Sequence, residues 1–157
     1  KARRGQLWAD VNGDGRPDLL VAEPESGQIS VFLQKPDGTL AAAKTFSSLA
    51  GVSDLAAADW DGDGKPDIFL LSADERQIGV TRFDEKGRLP FPTLIPLDGK
   101  PLALAVGALQ PGAKPTLAVL VVGTHVTERL EARVRGISQA FLEYKQLKLL
   151  KTPIKGR

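Results

Sequence analysis

The sequence contains no cysteine and no methionine, and only one histidine, His125. Without cysteine there is no disulfide, no thiolate metal site and no cysteine nucleophile. A single histidine, distant in sequence from every acidic cluster, leaves zinc without its usual nitrogen or sulfur ligands there. The lack of methionine even at position 1 predicts a segment of a longer chain or a processed product. Nowhere is there an apolar run long enough to span a bilayer, so membrane insertion is not expected. Formal net charge is only +2, and the basic residues are scattered apart from a richer C-terminal third. A nucleic-acid surface normally concentrates its basic residues, so no nucleic-acid partner is expected.

What is present is a repeat. Residues 10–40 (DVNGDGRPDLLVAEPESGQISVFLQKPDGTL) align without a gap on residues 59–89 (DWDGDGKPDIFLLSADERQIGVTRFDEKGRL). Identities fall in three separated places: the acidic segment, Gln28, Ile29 and Val31 on Gln77, Ile78 and Val80, and Gly38 and Leu40 on Gly87 and Leu89. A shared local motif would not hold one register over that distance, so the two segments are a duplication. A third copy follows in outline at residues 101–122, with Gly107 near the place of Asp59 and one extra residue before Pro115. No aspartate occurs after Asp98, so the acidic residues of this copy are gone.

Each unit reads as four short strands. Apolar runs at 7–9 and 55–58 enter the acidic segments, and runs at 19–22 and 68–71 leave them, as in strands covered on both faces. Residues 29–33 and 78–83 follow, then hairpin turns at Asp37-Gly38 and Lys86-Gly87 and outer strands at 41–46 and 92–95. For 126–150 a helical stripe competes with alternation. Gly136 interrupts any helix, and the reading here is two strands turning near it. Four strands in about fifty residues is the arithmetic of a β-propeller blade. The expected fold is therefore all-β, one domain over 1–157 built of about three four-stranded antiparallel blades at 5–50, 51–98 and 99–152. Propellers close with about 4–8 blades, which predicts a segment of a larger propeller, completed by other chains or by the rest of a longer chain.

The acidic segments 10–18 and 59–67 set oxygen-bearing side chains at alternate positions. The first offers Asp10, Asn12, Asp14 and Asp18, and the second Asp59, Asp61, Asp63 and Asp67. The carbonyls of Arg16 and Lys65 stand where a tight calcium loop contributes a backbone ligand. Pro17 and Pro66 bias those two residues toward extended geometry. Gly15 and Gly64 occupy the sharp-turn position. Three or four carboxylates within nine residues repel one another unless a cation lies among them. Hard oxygen donors in that number suit calcium, and magnesium's strict octahedron suits them less. Two calcium ions are expected, with the second loop, richer by one carboxylate, binding more tightly. A helical calcium loop would need an acidic twelfth residue. Here that position is Val21 or Leu70, inside a strand-like run.

Strand, Asp-x-(Asp/Asn)-x-Asp-Gly-x-Pro-Asp, strand, repeated after about fifty residues, resembles the FG-GAP/VCBS repeat family. It is similar to the calcium-binding blades of integrin α-subunit propellers and of many bacterial secreted proteins. The resemblance implies propellers of roughly seven or eight blades, structural calcium held by the eight side chains named above, and an extracellular, cell-surface or periplasmic location. Two function classes follow. One is a calcium-stabilised scaffold that meets a protein or glycan partner. The other is part of a propeller-type carbohydrate-active enzyme such as a polysaccharide lyase. Catalysis is not expected, because His125 is isolated and Ser47, Ser48 and Ser53 read as turn residues. Trp8 and Trp60 are expected to pack between blades, although loop position two would turn Trp60 outward.

Overall fold

The computed structural model describes residues 5–108, 114–122 and 147–149. Among these every regular element is a strand. In chain order they are β1 (Gln6–Ala9), β2 (Asp18–Glu23), β3 (Gln28–Phe32), β4 (Lys44–Ser47), β5 (Val52–Ala58), β6 (Asp67–Ser72), β7 (Gln77–Thr81), β8 (Thr93–Pro96), β9 (Lys100–Ala108), β10 (Pro115–Val122) and β11 (Leu147–Leu149). β1-β2-β3-β4 and β5-β6-β7-β8 are two four-stranded antiparallel sheets of simple up-and-down order. A third sheet has the order β11-β10-β9.

The duplication is carried into the pairing. Ala9 lies opposite Asp18, Leu19 opposite Phe32 and Gln28 opposite Ser47. Forty-nine residues on, Ala58 lies opposite Asp67, Ile68 opposite Thr81 and Gln77 opposite Pro96. The third sheet keeps the same register. Ala103 faces Leu120 as Asp54 faces Leu71, and Gly107 faces Thr116 as Ala58 faces Asp67. Irregular pairing between Val52 and Asp54 recurs at Pro101 to Ala103, so Ser53 and Leu102 are the same bulge.

That register corrects two readings of the third copy. Ala108, and not Gly107, takes the place of Asp59, and no extra residue precedes Pro115, which stands where Pro66 does. Hydrophobic matching across a gap had shifted the sequence alignment by one. In addition, the slot beside β10 is filled by Leu147–Leu149 running parallel to it, where the other two sheets have an antiparallel strand. The third sheet thus shows three strands among the described residues. The strand pair expected around Gly136 lies outside the described residues, as do His125 and Tyr144. The outer strand β4 is shorter than expected and starts at Lys44, and β8 keeps the expected length but is shifted by one residue, to Thr93–Pro96.

Burial explains the stacking. One apolar cluster joins the first two sheets through Leu20, Ala22, Ile29 and Val31 on one side and Leu55, Ile68 and Leu70 on the other. A second joins the next pair through Phe69, Leu71, Ile78 and Val80 against Leu104, Leu117 and Val119. Successive residues of β6 thus serve opposite faces, and all six are buried. A strand so placed must be apolar on both sides, which is why 68–71 is a continuous run and not an alternating one. Phe46 and Phe83 meet edge to face at 5.8 Å between the first two sheets, a favourable aromatic geometry.

Candidate metal centre

Loops 10–18 and 59–67 join first to second strand in the first two sheets, and thus lie at the same edge of each. They also abut, since a Cβ added at Gly13 would stand 3.8 Å from the Gly64 carbonyl oxygen. Their coil is set by glycines at left-handed φ, 78° and 82° at Gly13 and Gly15 and 81° at both Gly62 and Gly64, a region that side chains rarely tolerate.

Backbone N–H groups inside each coil are collected by the leading aspartates. Asp10 accepts from Gly13 and Gly15, both at 2.7 Å, and Asp59 accepts from Gly62 and Gly64 at 2.8 and 3.0 Å. The following ligand candidates repeat the device two residues on. Asp14 N–H donates to Asn12 and Asp63 N–H to Asp61, at 3.0 and 3.1 Å. Arg16 N–H donates to Asp14 and Lys65 N–H to Asp63, at 2.9 and 2.8 Å. Short acidic side chains that bond the backbone ahead of them are strong turn formers, so sequence alone coils both loops.

In the second loop Asp59, Asp61 and Asp63 converge, each with one carboxylate oxygen within 4.8 Å of the other two. Ligands at roughly 2.3–2.6 Å from a calcium ion on opposite sides of it stand about 5 Å apart. These three carboxylate oxygens are thus close enough together to hold a hard divalent cation. Asp67 lies apart from this trio. It is 4 % exposed and accepts the Trp60 N–H at 3.3 Å. Burial, together with the neighbouring charges of Asp61 and Asp63, pushes its carboxyl up to about 6, against the pull of the Trp60 N–H. Asp18 is equally buried and accepts from Val11 at 3.2 Å and Gln34 at 2.8 Å. Burial raises its pKa as well. These two aspartates start β2 and β6 and tie the loop to the sheet.

In the first loop Asn12 donates to Asp14 at 2.8 Å. The Arg16 side chain also folds onto Asp14, at 2.5 Å, and reaches the Gln34 carbonyl at 3.1 Å. The sequence reading assigned Arg16 only a backbone role. In the second loop an arginine from outside does the corresponding work. Arg82 Nη1 lies 2.8 Å from Asp63 and 3.3 Å from Asp61. The Lys65 N–H, and then Arg82, hold the Asp63 carboxyl below its ordinary range. Sequence reasoning missed Arg82. The available signal was its repeat partner, Leu33, an apolar residue where the second copy carries a cation.

Position two of each loop is buried. Trp60 does not turn outward: it is 5 % exposed and packs on Phe69 at 5.4 Å. Val11, its repeat partner, is 1 % exposed. The coil directs this residue into the gap between sheets and leaves its oxygens at the rim. Trp8, expected to pack, is 56 % exposed.

The model of the FG-GAP-like repeat matches residues 10–70, from the first loop through the second and into β6. Residues 10–70 belong to the FG-GAP-like repeat family. No curated protein matches the chain. The match to the repeat takes in both candidate loops and ends before the third sheet, where the equivalent positions are Ala108, Gln110, Gly112 and Thr116. None of the four has a carboxylate, so the strand register continues there without an acidic set. Among the described residues no helix is long and apolar enough to cross a membrane.

Proposed function

We propose that this chain is a calcium-binding repeat module of a β-propeller, a structural and recognition scaffold in a secreted, cell-surface or periplasmic protein. The observation that carries this reading is the convergence of Asp59, Asp61 and Asp63 onto one small volume, in a loop whose frame is repeated at 10–18. Asp59 and Asp61, with Asp63, would hold the ion by carboxylate oxygens, and the Lys65 carbonyl is the backbone donor of the set. Asp10, Asn12, Asp14 and the Arg16 carbonyl form the corresponding set in the first loop. A bound ion would neutralise charges that otherwise repel and fix the turn at one edge of each sheet. Millimolar calcium outside the cell keeps even modest sites of this kind filled. A protein or glycan partner would then meet loops that calcium has made rigid, with other chains or further repeats covering the open sheet faces.

The test is calorimetric titration with calcium, paired with thermal melting. Two ions are expected per chain. At one hundred times Kd each site adds about 2.7 kcal/mol, which raises the melting midpoint by several degrees for a chain of this size. Asp59→Ala and Asp10→Ala should each remove one site. A chain that neither takes up calcium nor melts higher in its presence overturns the reading.

A further inference from the structure

The second loop already contains a cation. We propose that Arg82 is a resident counter-ion of that loop, one that gives way when a divalent ion enters and so sets the loop's affinity. This rests on the calcium reading above and concerns the regulation of the same site.

Arg82 follows β7 directly and is 19 residues from Asp63 and 21 from Asp61 in sequence. Only the pairing of β6 with β7 brings it to the loop. Its Nη1 bridges two of the three carboxylates that converge there, at 3.3 Å from Asp61 and 2.8 Å from Asp63. A divalent ion among those oxygens would share them with a guanidinium in direct contact, and two cations so placed repel. The side chain is 37 % exposed, so water is available to receive it when it leaves. The first loop offers an independent sign that such a charge is part of the design. Leu33 occupies the matching position and cannot supply it, and Arg16 supplies it from within the loop, on Asp14. Each coil therefore holds one guanidinium against its acidic rim, reached from unrelated positions. The same contact supports the coil without metal, because it offsets carboxylate repulsion. The arginine thus acts in opposite directions on the empty and the filled loop.

Calcium titration and melting of Arg82→Leu and Arg82→Gln test this, in an Asp10→Ala background so that the heat reports the second loop. Arg88→Leu is the control, because it loses the same charge but pairs with Asp84 outside both loops. Exposed ion pairs of this kind are worth up to about 1 kcal/mol each, so both Arg82 variants should bind calcium about three- to tenfold more tightly. Both should melt lower than the parent in metal-free buffer, while Arg88→Leu leaves calcium affinity unchanged. Unchanged or weaker affinity in the Arg82 variants, with the parent binding calcium normally, overturns the counter-ion role and leaves the metal reading intact. A parent that binds no calcium overturns both.

Discussion

Three residues show how much depends on single backbone contacts. Asp54 is 7 % exposed, and its carboxylate accepts the Leu104 N–H of the next sheet at 2.9 Å and the Leu55 N–H at 3.1 Å. It is a buried tie between β5 and β9, and Asp54→Ala leaves the Leu104 N–H in an apolar gap without its acceptor. Hydrogen bonds to charged groups contribute about 1.5–3 kcal/mol, so chemical denaturation should show a loss of that size. The turns between second and third strands give a paired test. Gly27 and Arg76 are repeat partners, both at left-handed φ, 63° and 54°, and their carbonyls accept equivalent bonds from Ser48 and Leu97, each at 2.8 Å. A side chain in that region costs about 1–2 kcal/mol. The expected signs are therefore opposite: Gly27→Ala destabilises by about 1 kcal/mol, while Arg76→Gly stabilises by a few tenths, the relief being partly offset by the added freedom of the unfolded chain. Equal signs in a urea-melt comparison would contradict the strain assigned to Arg76.

At the scale of elements, the loops and the strands that follow them make an electrostatic unit. Asp67 opens β6 with a carboxyl pushed up to about 6, chiefly by burial, and Asp18 opens β2 with a shift in the same direction. A carboxyl whose folded pKa lies above its unfolded value holds its proton more firmly in the folded chain. Its contribution to stability is then fully present below about pH 4 and is lost as pH rises through about 6. Asp63 shifts the other way, so its contribution is present above the ordinary carboxylate range and falls away below it. Metal-free protein should accordingly melt lower at pH 7 than at pH 5. Asp67→Asn, which keeps an acceptor for the Trp60 N–H, should flatten that slope, and calcium should offset it by favouring the ionised loop. Calorimetry across pH 4–7 in metal-free and calcium-containing buffers reads all three.

These elements also show what could be read from the sequence. The loops were legible because Asp10 to Asp18 and Asp59 to Asp67 make their bonds within a few residues, and β6 because its apolar run reports burial on two faces. Arg82 and Asp54 were not, because each acts on residues 19 to 50 positions away through strand pairing and sheet stacking. Local pattern carries no record of such contacts. Trp60 packs as expected, although alternation along the loop argued against it, because alternation describes which oxygens point inward and not which edge of the coil faces the core.

For the whole molecule the decisive feature is translation of one packing pattern from sheet to sheet. Leu20 and Ala22 face forward into the first cluster as Phe69 and Leu71 face forward into the second. Ile68 and Leu70 face back as Leu117 and Val119 do. The corresponding back-facing residues of the first sheet, Leu19 and Val21, and the forward-facing residues of the third, Ala118 and Leu120, are only half-buried. Only in the middle sheet are the forward and the back pair both buried, because only there are both neighbours present. Stability in such a stack is approximately a sum of terms from each sheet and each interface. Leu70→Ala and Leu71→Ala remove contacts from two different interfaces, and each should cost about 2–5 kcal/mol. Because their side chains lie on opposite faces of β6 and share no cluster, the double variant should lose nearly the sum, within about 0.5 kcal/mol. Trp8→Ala, on the open face beside Leu19, should change the isolated chain by less than about 0.5 kcal/mol. A double-variant loss well short of the sum in denaturant titration would mean that the two interfaces are one shared core, and the description as stacked blades would fail.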